Sequence, residues 1–75
     1  GVEHFAGIYG IVRLDMTIGL LQVQDHLEWD LGHPLIEPEA FARHYAVELA
    51  LPQDFIPIVA FDIREQVYNI RRGLL

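Results

Sequence analysis

The sequence predicts an α+β domain of ββαα order, an antiparallel β-hairpin packed against two helices. Three observations carry this expectation. Residues 10–31 alternate apolar and polar side chains on either side of a glycine turn. Two later stretches repeat apolar residues every three or four positions. Proline-containing breakers separate these stretches from the hairpin and from each other.

The chain has 75 residues, enough for one domain near the lower size limit for an independent core. Its 52% hydrophobic content is ample for packing and argues against disorder. With no cysteine, neither a disulfide nor a thiolate metal site can brace the fold, so packing must hold it. Residues 1–9 lack periodicity and are expected to form an adapter ahead of a single domain at 10–75.

Along the first strand, Val12, Leu14, Met16 and Ile18 point one way while Arg13, Asp15 and Thr17 point the other. Gly19-Leu20 has the glycine-first chemistry of a type II′ turn. With those two residues as the loop, Ile18 faces Leu21, Met16 faces Val23, Val12 faces Leu27 and Gly10 faces Trp29. A glycine opposite the large indole is sterically sensible. This register also sets Asp25 opposite Leu14 on the apolar face, a conflict that a bulge or strand break would relieve.

His33-Pro34 and Glu37-Pro38 bound a loop, and Pro38 suits the first position of a helix running to about Leu49. Glu39 falls in the first turn, where the helix dipole favours an anion. The apolar stripe of this helix is Phe41, Ala42, Tyr45, Ala46 and Leu49. Leu51-Pro52 ends it. Asp54 is the candidate N-cap of a second helix over 54–72, with Pro57 tolerated in its first turn. Phe55, Val59, Ile63, Val67 and Ile70 form its stripe, Arg71 and Arg72 suit its last turn, and Gly73 can terminate it. Trp29, Phe41, Tyr45, Val59 and Ile63 are the expected centre of the core.

Charge and residue types narrow the function. Five basic residues, all arginine, face eleven acidic ones, for a net charge of -6. That balance disfavours binding to duplex DNA or an anionic membrane surface. No apolar run approaches the roughly 20 residues of a membrane span, and the opening Gly1-Val2-Glu3-His4 carries no basic stretch of the signal-peptide kind. The chain lacks serine and cysteine and has no glycine-rich phosphate loop, and its lone Thr17 sits beside Asp15 on a polar strand face. Asp25 on an apolar face is read as a strand irregularity whose carboxylate bonds backbone, not as a catalytic group. His4, His26, His33 and His44 have no helical or Cys-paired spacing, so no metal, cofactor or catalytic site is expected.

Ile11-Val12-Arg13-Leu14-Asp15, Leu27-Glu28-Trp29-Asp30-Leu31, Glu37-Pro38-Glu39-Ala40-Phe41-Ala42, Phe55-Ile56-Pro57-Ile58-Val59-Ala60 and Ile63-Arg64-Glu65-Gln66-Val67 lie in order over roughly 10–70. Together they resemble the SNF-five homology domain, and Glu28-Trp29-Asp30 and the 60–66 stretch are more similar to the second of its tandem repeats. Ala50 departs from the glycine that often follows the first helix, and His33-Pro34 is unusual in the loop. The resemblance implies a ββαα protein-binding module in a nuclear core subunit of a SWI/SNF-type chromatin-remodelling complex. It implies docking to the SWIRM domain of a scaffold subunit, with transcription factors as further partners. The basic nucleosome-facing helix of such subunits follows the second repeat, so that contact is not expected within these residues.

Partner-binding candidates follow from the second helix. Phe61, Tyr68 and Leu75 recur every seven residues opposite the core stripe, a narrow seam suited to a partner helix. The alternative is that they pack on residues 5–9 of the same chain. Glu37, Glu39 and Glu48 form an acidic face that is either simply solvated or complementary to a basic partner. A self-associating or regulatory docking domain is the second functional reading.

Overall fold

A computed structural model describes residues 8–32 and 36–74. Strands β1 (Tyr9–Ile18) and β2 (Leu21–Asp30) form an antiparallel two-stranded sheet, followed by helices α1 (Pro38–Glu48) and α2 (Phe55–Leu74). The fold is the expected α+β, ββαα arrangement. A two-stranded sheet is marginal alone. Here its apolar face is buried against the helix pair: Val12, Leu14, Val23 and Trp29 join Ala42, Phe55, Val59, Ala60, Ile63 and Val67 in one core.

The hairpin register is that read from the sequence, with Ile18 opposite Leu21, Met16 opposite Val23, Val12 opposite Leu27 and Gly10 opposite Trp29. Gly19 has φ +62° and Leu20 does not have positive φ, the signature of a glycine-first II′ turn. The ladder continues beyond Gly10, since Tyr9 pairs with Asp30 and the Leu31 N–H donates to the Ile8 carbonyl at 2.8 Å.

No bulge relieves Asp25. Leu14 pairs directly with it in an unbroken ladder. The conflict is resolved by exposure and hydrogen bonding: the Asp25 carboxylate accepts the Tyr45 hydroxyl at 2.9 Å and the His26 N–H at 2.8 Å. Gly10 lies opposite Trp29 as expected, and α2 adds a further reason for the small residue. A Cβ there would lie 3.0 Å from Ile70 Cδ1 and 3.3 Å from Leu31 Cδ1, so the nearest atoms that demand the small residue belong to α2 and to Leu31, just past β2.

Helix α1 starts on Pro38, which has no N–H to leave unpaired. Its buried residues are the small Ala42 and Ala46, which bring the helix backbone close to the core. Phe41 and Tyr45 pack against that core from its margin, partly buried. The Phe41 ring meets Trp29 edge-on and Tyr45 face-on, each at 5.6 Å between centroids. The five expected core residues do converge, with Trp29, Val59 and Ile63 inside and the α1 aromatics at the edge.

Leu49 leaves the apolar stripe. It is the C-cap residue and is half-exposed, because the chain turns back in a Schellman motif. The Leu51 N–H bonds the Ala46 carbonyl at 2.8 Å and the Ala50 N–H bonds the Val47 carbonyl at 3.2 Å. This turn swings Leu51 onto the core in place of Leu49. It also sets Ala50 at φ +54°, the left-handed conformation that glycine adopts with least strain.

Asp54 stands at the N-cap position of α2 as expected, but its side chain has little to cap. The Phe55 and Ile56 N–H groups bond the Pro52 and Gln53 carbonyls at 3.0 Å, and Pro57 has no N–H to offer. Phe55, Val59, Ile63 and Val67 are buried as expected, while Ile70 is half-buried. Gly73 does not end α2, which runs through it to Leu74 without positive φ.

Candidate protein-docking surface

Burying the stripe of α2 against the sheet and α1 fixes what the helix shows to solvent. Its outward face carries Ile58, Phe61, Glu65, Tyr68 and Arg72, all exposed. Phe61 and Tyr68 are each 63% exposed, which is high for large aromatic side chains on a packed helix. They lie two helical turns apart, about 10 Å along the axis. The Arg72 guanidinium sits 5.6 Å from the Tyr68 ring centroid in a cation–π contact. Leu75, the third member of the seam, lies outside the described residues, as do residues 5–7 of the segment that could cover it.

The acidic candidates have a different setting. Arg64 on α2 holds the Glu39 carboxylate through two short bonds, Nε to Oε2 at 2.7 Å and Nη2 to Oε1 at 2.6 Å. Its Nη2 also lies 3.7 Å from Glu37. The Arg64 hydrogen bonds hold the Glu39 carboxyl below the ordinary carboxylate range. Glu37 and Glu39 therefore cross-brace the helix pair as well as facing water, and Glu48 is exposed. Between this brace and the aromatic face lies a cleft of about 520 Å³, lined in part by Trp29, Ile36, Pro38, Val67, Tyr68 and Arg71.

Sequence reasoning missed four polar contacts. Arg64 was read only as part of a motif. Gln66 reaches the open edge of β1, where its Oε1 accepts the Arg13 N–H at 2.8 Å and its Nε2 donates to the Arg13 carbonyl at 2.5 Å. Asp62, one turn earlier, accepts a second bond from the same Nε2 at 3.0 Å, and this i, i+4 pairing was the available signal. Tyr45 was read as apolar, yet its hydroxyl bonds Asp25, and burial together with that bond pushes its pKa up to about 12.

Among the described residues, no three histidine, aspartate or glutamate side chains gather as a metal site. His26 and His44 are exposed on β2 and α1, and His4 and His33 lie outside the described residues. No described helix is long and apolar enough to cross a membrane.

A family model described as SNF5 / SMARCB1 / INI1 matches residues 8–75. The SWI/SNF chromatin-remodeling complex subunit SNF5 of Saccharomyces cerevisiae is 38% identical over 63 residues, covering 84% of this chain and 7% of the yeast protein. Subunit snf5 of Schizosaccharomyces pombe is 41% identical over 56 residues, 75% of this chain and 9% of that protein. The chromatin structure-remodeling complex protein BSH of Arabidopsis thaliana is 37% identical over 60 residues, 79% of this chain and 25% of that protein. The chain thus spans a quarter or less of these relatives. On the family match and the ββαα fold, this chain belongs to the SNF5 / SMARCB1 / INI1 family.

Proposed function

We propose that this chain is a non-catalytic protein-interaction domain of a nuclear subunit in a SWI/SNF-type chromatin-remodelling complex, and that it docks the SWIRM domain of a scaffold subunit. The observation that carries the reading is the outward face of α2, where Phe61 and Tyr68 stand exposed on a helix whose opposite side is locked into the core. Aromatic residues are the commonest anchors of protein interfaces because they bury much area with few rotors to freeze. The relatives supply the setting, since those named above are subunits or proteins of chromatin-remodelling complexes. The net charge of -6 argues against duplex DNA as the ligand.

The proposed mechanism is passive. The domain presents a preformed surface, and binding stabilises its folded state by mass action. Retention of the purified chain on an immobilised SWIRM domain from a remodelling scaffold subunit tests the reading, with an unrelated helical domain as control. Retention by the SWIRM domain alone is expected. Equal retention on both columns, or on neither, would contradict it. A molecular mass that rises with concentration in light scattering would instead support self-association.

A further inference from the structure

The two edges of the sheet are not equivalent. Since the Arg13 N–H and C=O both turn outward to Gln66, Arg13 and His26 form a non-hydrogen-bonded pair, and every second residue from there has outward backbone groups. The β1 edge is shut at its centre, because the Gln66 amide takes both groups of Arg13 as a neighbouring strand would. Helix α2 also packs along that strand.

On β2 the outward residues are Gln22, Gln24, His26 and Glu28, and all four are exposed. Only the His26 N–H is drawn inward, to Asp25 Oδ1. Among the described residues nothing bonds the outward backbone groups of Gln22, Gln24 and Glu28. The strand, Leu21-Gln22-Val23-Gln24-Asp25-His26-Leu27-Glu28-Trp29-Asp30, holds three carboxylates and neither lysine nor arginine. An acidic edge repels a second copy of itself and attracts a basic strand.

We propose that the β2 edge is a second docking site, one that takes an extended basic segment of a partner protein by strand addition. Backbone bonds to Gln22, Gln24 and Glu28 would supply the ladder, and lysine or arginine side chains on the solvent face would answer Glu28. This site is separate from the outward face of α2.

The probe is a short peptide alternating lysine and valine, titrated into the intact chain while backbone amides are followed by NMR. Gln24 and Glu28 amides should shift and gain exchange protection. A version N-methylated on its pairing edge keeps the charge and loses the ladder, and should bind at least about tenfold more weakly, the equivalent of one or two net hydrogen bonds. Gln24→Pro, tolerated because that N–H lies outside the hairpin ladder, should weaken binding similarly. If Gln24→Pro fails to fold, Glu28→Lys supplies the same test through charge. Equal binding of the methylated peptide, equal binding of a glutamate–valine peptide, or shifts confined to β1 or the helices would overturn the proposal. So would a mass that rises with concentration and is abolished by Gln24→Pro, which would assign the edge to self-pairing.

Discussion

Ala50 is strained where it stands, and relieving it should stabilise the domain. Its φ of +54° sits at the left-handed position of the Schellman turn that closes α1. For an L-residue with a Cβ that conformation costs roughly 1–2 kcal/mol. Ala50→Gly removes the clash but frees the unfolded chain, which gives back about 0.4–1 kcal/mol. The net expectation is a gain of about 0.5–1 kcal/mol. For a domain of 60–100 residues each kcal/mol moves the melting temperature by about 4–8 °C, so the shift should be a few degrees upward. Urea unfolding followed by far-UV circular dichroism measures the free energy, and the m-value should not change. Val47→Gly, inside α1 and exposed, is the control and should lose about 0.3–0.5 kcal/mol, the difference between the helix propensities of valine and glycine. An Ala50→Gly protein that is no more stable than the parent would refute the strain argument.

Three further outcomes follow from the packing and the polar contacts. Trp29→Ala removes a 5%-exposed ring from the core and should cost about 3–5 kcal/mol, comparable to the whole surplus of a core-only domain this small. Circular dichroism should then show a largely unfolded chain, and near-native cooperative melting would remove Trp29 as an anchor. Tyr45 favours its protonated form in the folded state, so its contribution is complete below about pH 10, where the unfolded phenol titrates. It is lost as pH rises toward its folded value of about 12. Stability curves over that alkaline window should be steeper for the parent than for Tyr45→Phe, and parallel curves would contradict the Tyr45–Asp25 contact. Glu39 works in the opposite direction, since its lowered pKa gives stability above about pH 4.5 that disappears as pH falls through the folded value. Glu39→Gln should therefore flatten the acid limb, as read by melting temperature against pH.

Much of the fold was written in local patterns. The alternation through Val12, Leu14, Met16 and Ile18, with Gly19 to set the turn, determined every strand pair because a one-residue slip would expose the whole apolar set. The errors came where backbone bonding competed with the side-chain pattern. Leu49 fits the α1 stripe by spacing, but the Schellman turn hands its role to Leu51. Asp54 holds the expected N-cap position, yet the preceding carbonyls and Pro57 leave its side chain little to cap. Asp25 needed no bulge because a hydroxyl from a different element reached it.

The candidate surface divides in the same way. Phe61 and Tyr68 were legible from helical phase alone, since a residue opposite the core stripe must face outward. The Arg64–Glu39 brace and the Gln66 seal on Arg13 were not, because both depend on how α2 crosses α1 and β1. Those placements are set by the small Ala42 and Ala46 and by the fit of Ile70 over Gly10, which no local pattern encodes.

The central claim is that the outward face of α2 is where a scaffold partner binds. Isothermal titration of a SWIRM domain into the parent chain and into a Phe61→Ser/Tyr68→Ser variant tests it most directly, at low and at physiological salt. The account predicts that the variant melts close to the parent and binds with a loss of at least about 2 kcal/mol, roughly thirtyfold in affinity. It also predicts little response to salt, because exposed charges such as Glu37 and Glu39 are screened over about 8–10 Å and an aromatic contact is not. Unchanged affinity in the folded variant, or binding that collapses as salt is raised, would contradict it and move the contact to the acidic end of α1.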